Sequence, residues 1–276
     1  MSKTKKDDKP VKTESEKEMS FLDHLEELRW HIIRSVIAIA IGAIVVFVMR
    51  IWIFDNIILG PMGEDFPTYR FFCGIADAMC FSPPDLLIKS VTLDEKFLIA
   101  LKVSMWIGFV GAFPYVFYQF WSFIKPGLYE SEQKVARGMV FICSMLFTTG
   151  VVFGYFAISP FAIKFLGSFD IGIYVEPEVS LKSIVGYMVM FTIPAGITFE
   201  LPVVVYFLSK IGLVTPEFLR KYRKHAFVLI LIFAAIITPP DVVTQFLIGI
   251  PVFILYEISI YISSRVEKKE KLPSKT

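Results

Sequence analysis

Three groups of carboxylates lie where their chemistry could be used. Asp23, Glu26 and Glu27 crowd the approach to a long apolar run, and Glu130 and Glu132 follow a later one. An ionised carboxylate takes a guanidinium through paired, charge-assisted hydrogen bonds. At a membrane face such clusters suit capture of an arginine-bearing peptide. They equally suit solvated helix ends, where acidic residues complement the helix dipole. Glu200 is different, because it interrupts an apolar run in Phe199-Glu200-Leu201-Pro202, with Pro194 upstream. A carboxyl in that setting must be protonated or meet polar groups, water or a partner. It marks either a polar site within a membrane or a structural carboxyl bonded to a neighbouring helix. Glu257 raises the same pair of readings.

Cys73 and Cys80, seven positions apart, could close a small loop in an oxidising compartment or remain two thiols. Cys143 reads as a packed thiol. Neither Cys73 nor Cys80 has a histidine or a second cysteine pair nearby, so zinc is not expected. H-E-x-x-H, G-x-S-x-G and Walker-type loops are missing from the chain, and His24, His31 and His225 are scattered. Covalent catalysis and a bound cofactor are therefore not expected; the chain does not read as an enzyme.

The elements that position these residues are set by composition. Of 276 residues, 55% are hydrophobic and 20% charged, with a mean hydropathy of +0.63. A soluble domain carries about 45–50% apolar and about 25% charged residues. The excess excludes an ordinary soluble enzyme or a disordered chain, and a net charge of +2 offers nothing to nucleic acid. A bilayer-spanning helix needs about 20 apolar residues. Runs over 32–54, 97–118, 138–158, 184–208 and 242–262 satisfy this, while 226–237 spans only about 18 Å at 1.5 Å per residue. This predicts an all-α integral membrane protein with six transmembrane helices, the last two forming a short, tight hairpin. Lys and Arg concentrate before the first run, after the second and fourth, and in the tail. The positive-inside bias then places both termini in the cytoplasm. Residues 1–18 read as a disordered cytoplasmic segment, 19–263 as the six-helix domain, and 264–276 as a basic cytoplasmic tail. Phe21, Leu25, Leu28 and Ile32, at helical spacing, predict an amphipathic helix feeding straight into the first span.

Four stretches carry a resemblance. The run from Phe21 to Arg29 (FLDHLEELR) is similar to the amino-terminal signature of the TatC family, the polytopic core of the twin-arginine protein translocase. WSFIKPGLYESE at 121–132, FELPV at 199–203 and TPPDVVTQ at 238–245 match that family in the same order. The resemblance covers about residues 19–263.

It implies a concave six-helix scaffold in the bacterial cytoplasmic membrane. Such a scaffold would bind signal peptides carrying consecutive arginines and export folded proteins using the proton motive force. By the same resemblance Glu27 and Glu132 contact the arginine pair, and Arg29 and Phe123 belong to that recognition surface. Glu200 matches the family's intramembrane glutamate, and Asp241 its aspartate in an outer-face loop. Implied partners are small single-span subunits of the TatA and TatB type, membrane lipid and further copies of the chain in a receptor complex. Two positions depart from the pattern. His31 stands where a second basic residue is common, and Gln133 follows Glu132 where a basic residue is frequent. The long cysteine-bearing loop also exceeds the core pattern. A rival reading, a small-solute transporter with Glu200 as an ion site, lacks the repeated pair of interrupted helices expected of it.

Overall fold

The computed structural model describes residues 21–75, 80–84, 86–124, 136–169, 178–237 and 242–271. Helix α1 (Phe21–Val48) is continuous from the amphipathic start into the apolar run, and α2 (Arg50–Ile53) prolongs it. A π-helical turn at Phe54–Ile58 and a tight turn at Gly60–Met62 lead to α3 (Pro67–Ile75). Strand β1 (Leu87–Lys89) precedes α4 (Glu95–Ile124). Helix α5 (Ala136–Phe153) passes through a second π turn, Gly154–Ile158, into α6 (Ser159–Gly167). Strand β2 (Glu178–Ser180) pairs in parallel with β1, Leu87 opposite Glu178. Then follow α7 (Leu181–Phe199), α8 (Leu201–Lys210), α9 (Pro216–Lys221), α10 (Arg223–Ile237) and α11 (Val242–Lys271).

Among the described residues, five stretches are long and apolar enough to cross a membrane: Leu25–Val48, Glu95–Ile124, Gly138–Gly167, Leu181–Lys210 and Thr244–Lys268. Helix α10, at 15 residues, is the short arm that the sequence predicts. Its partner is not short. Helix α11 runs for 30 residues, because polar, helix-favouring residues after Ser263 continue it beyond the apolar run and through the boundary expected at 263. The expected disordered segment 1–18 lies outside the described residues.

Lipid is as apolar as leucine, so helices in a membrane associate through close packing and hydrogen bonds. Helices α1 and α4 run antiparallel and touch backbone to backbone, with a Cβ on Gly42 falling 3.1 Å from the Gly108 carbonyl oxygen. Helices α5 and α7 meet the same way, where a Cβ on Gly154 would lie 2.6 Å from the Phe191 oxygen. The largest buried cluster joins Ile158, Phe191, Val205, Leu219, Ala234 and Val252. It therefore ties α7 to α11 into one packed body. Helix α1 stands outside that body, and Val36, Ile37, Ile41, Ile44 and Val48 leave a broad apolar stripe exposed along it.

At the end of the bundle where α1 finishes, the loop between α2 and α4 forms a cap. The sulfurs of Cys73 and Cys80 are bonded to each other. Phe81 beside them meets Tyr69 at 5.2 Å, edge-on, and Phe161 of α6 at 4.7 Å. Thr68 donates to the Phe156 carbonyl at 2.5 Å and Tyr155 to that of Ile57 at 2.7 Å. Tyr69 donates to the Pro61 carbonyl at 2.7 Å, and burial pushes its hydroxyl up to about 12.

Candidate functional site

Two groups of polar residues use opposite faces of the last turns of α4. Gln119 and Phe123, one turn apart, look toward α1. The Nδ1 of His31 is 2.6 Å from Gln119 Oε1, and the Phe123 ring stands edge-on to the imidazole at 6.2 Å. Glu27, a turn before His31, brings Oε1 to 4.0 Å from His31 Nε2. The structure thus gathers Glu27, His31, Gln119 and Phe123 at one end of the bundle. Arg29 does not join them, since residues two apart on a helix face different ways, and it is exposed. Glu132, in the segment after α4, lies outside the described residues.

Phe117, Trp121 and Ile124 occupy the other face of α4. They line a cavity of 350 Å³ shared with Glu200, Val203 and Phe207. Glu200 sits at the break between α7 and α8 for a local reason. Pro202 lacks the N–H that would bond back to Thr198, which weakens the helical ladder here and favours a break. Glu200 closes the turn instead, its N–H donating to Ile197 at 3.1 Å. The Cys143 thiol and Phe147 backbone flank the carboxyl. Yet among the described residues both Glu200 oxygens and the indole nitrogen of Trp121 are buried without a hydrogen-bond partner. A polar group left so costs about 1–3 kcal/mol, more for a charged one. One apolar cavity therefore holds an unmet donor and an unmet acceptor, the arrangement expected where a polar ligand group completes the bonding.

Glu257 resolves to the structural reading: its Oε2 accepts from Arg223 Nη2 at 2.6 Å, linking α11 to α10. Gln245 donates to the Leu231 carbonyl at 3.1 Å and closes the same hairpin. Asp241, between those helices in the chain, lies outside the described residues. Among the described residues no cluster of three metal-ligating side chains exists.

Sequence reading overlooked Gln119 and Glu95. Gln119 was detectable as a polar residue directly after the apolar run over 97–118, although its partner was not. The buried Glu95 accepts from the Val91, Thr92 and Lys182 amides at 2.5, 3.3 and 3.1 Å. It fastens the start of α4 to that of α7.

Comparison with known proteins bears on all of this. The family model for the Sec-independent protein translocase protein (TatC) matches residues 23–251. A TatC protein of a Blattabacterium from Periplaneta americana is 40% identical over 260 residues, covering 92% of this chain and 98% of that one. The Aquifex aeolicus TatC is 35% identical, with the same coverage of both chains. A crystal structure described as the twin-arginine translocase receptor TatC superposes with a TM-score of 0.69 at 33% identity, covering 88% of this chain and 99% of the other. The chain belongs to the TatC family: it is a multi-pass inner-membrane component of the twin-arginine protein translocase, and not an enzyme.

Proposed function

We propose that the chain captures twin-arginine signal peptides at the bundle end formed by the start of α1 and the end of α4. The observation that carries this reading is the gathering of Glu27 and Phe123 around His31, on two helices that sequence distance alone would not bring together. Glu132 follows α4 by eight residues in the chain. Glu27 and Glu132 hold the two guanidinium groups, each charge-assisted bond contributing about 1.5–3 kcal/mol where partly desolvated. Phe123 offers an apolar and aromatic face beside them, and the exposed Arg29 borders the surface.

Both termini face the cytoplasm in this reading, supported by the basic residues flanking α1, α4, α8 and α11. The apolar part of the signal follows into the membrane, where the cavity at Glu200 and Trp121 meets a polar group of an inserting segment or of a single-span TatA- or TatB-type helix. Asp241 belongs to the opposite face. With no nucleotide-binding loop in the sequence, the proton motive force drives export, and several copies of the chain share one receptor complex.

Photo-crosslinking of a twin-arginine signal peptide, with probes at positions 123 and 132 of the purified chain, tests the reading. Labelling that disappears when the arginine pair becomes lysine supports it. Labelling indifferent to that change would reduce the contact to a hydrophobic one, and the receptor role would fall.

A further inference from the structure

The surroundings of Glu27 contain a built-in competitor for the arginine. Gln119 Oε1 can only accept, so the ring nitrogen at 2.6 Å from it, Nδ1 of His31, carries a hydrogen and donates. The other nitrogen, Nε2, is thereby left to face Glu27 at 4.0 Å. A singly protonated ring then presents its lone pair to a carboxylate, which repels. A doubly protonated ring presents a charged N–H, which attracts. Gln119 fixes the orientation in which the charge of His31 decides whether Glu27 is held or released.

Among the described residues, the other groups around the ring leave this relation intact. From α4 the ring meets Gln119 and Phe123, neither of them ionised. The ionised residues of α4, namely Glu95, Lys96 and Lys102, all lie toward its opposite end. On α1 itself, Arg34 is exposed one turn further on, and Ser35 donates to the His31 carbonyl at 2.8 Å. The His31 side chain is only 13% exposed against 34% for Glu27, so the ring is fixed while the carboxylate can be reached.

We propose that His31 is a proton-controlled competitor for the Glu27 carboxylate. The charged ring occupies it and must be displaced by the incoming arginine; the neutral ring leaves it free. This rests on the receptor reading above and adds its regulation: signal affinity rises with pH, as the ring gives up its charge.

The test measures binding of a labelled twin-arginine peptide to the full chain in nanodiscs across a pH series. Wild type should bind about two- to fivefold more tightly at the alkaline end, the range for an ion pair that water still reaches. His31→Gln, which keeps a side chain able to bond Gln119, should bind at the alkaline level throughout. A His31→Gln variant retaining the wild-type pH profile, or a flat wild-type profile, would overturn the proposal. Failure of the receptor reading is distinguishable, because the peptide would then bind equally well with lysines in place of its arginines. The pairing has its own readout without peptide: the pH titration of the His31 ring signals by NMR should change in Glu27→Gln. An unchanged curve would overturn the competition whatever the peptide does.

Discussion

A methyl group on Gly108 would lie 2.6 Å from the amide nitrogen of Ala43. Helix α4 therefore seats α1 by direct backbone contact, and this crossing sets the level at which His31 meets Gln119 and Phe47 meets Phe97. Gly108→Leu should force the helices apart and cost about 1–3 kcal/mol, read as a lower unfolding temperature in detergent. Cysteines placed at 47 and 97 should crosslink less in that variant. Unchanged melting and crosslinking would show a looser crossing than described.

Glu95 accepts from amides at the starts of two helices, the Val91 and Lys182 N–H groups at 2.5 and 3.1 Å. Truncation removes that shared acceptor and leaves the donors to water. Glu95→Ala should lower the unfolding temperature, and Glu95→Gln, which keeps one good acceptor, should lower it by less. Hydrogen exchange at Thr92 and Lys182 should quicken in step. Exchange at wild-type rates would contradict the double cap.

The Cys73–Cys80 bond closes a short ring of chain, for which the loss of unfolded-state entropy is about 2–3 kcal/mol. Cys73→Ser, or reductant, should loosen the seating of Phe81 against Tyr69 and Phe161 and open the cap to protease. Helix α1 should stay packed on α4, because their contact lies elsewhere. Equal proteolysis with and without reductant would exclude a role for the bond in holding the cap.

Removing Glu200 should separate stability from function. Its carboxyl oxygens have only the Cys143 thiol and the Phe147 backbone beside them and make no well-formed hydrogen bond among the described residues, so Glu200→Leu relieves a poorly met burial cost and should leave the melting temperature unchanged or raised. Export of a folded twin-arginine reporter should fall sharply. A variant that melts lower would mean that the carboxyl is structural, and normal export would mean that the cavity is idle.

Much of the fold was legible in the residues. Apolar run length, the short arm at α10 and the break at Glu200 are readable because hydrophobic length and proline act along a few neighbouring positions. The helix that carries Glu27 was legible too, since Phe21 to Arg29 falls in one continuous helical stretch. The length of α11 was less so, because its polar last turns carry helix propensity but no apolar signal.

Partnership was decided only in three dimensions. Nothing near His31 in the chain points to Gln119 88 positions away, nor does Arg223 announce Glu257 34 positions away. Trp121 reads locally as one more aromatic in an apolar helix; it becomes an unmet donor only because α8 places Glu200 across the same cavity. The sequence by itself determined which stretches must leave water and where a helix must break. The tertiary structure decided which polar groups find each other, because helix crossings are set by small residues such as Gly42, Gly108 and Gly154, and fractions of an ångström there choose the partners.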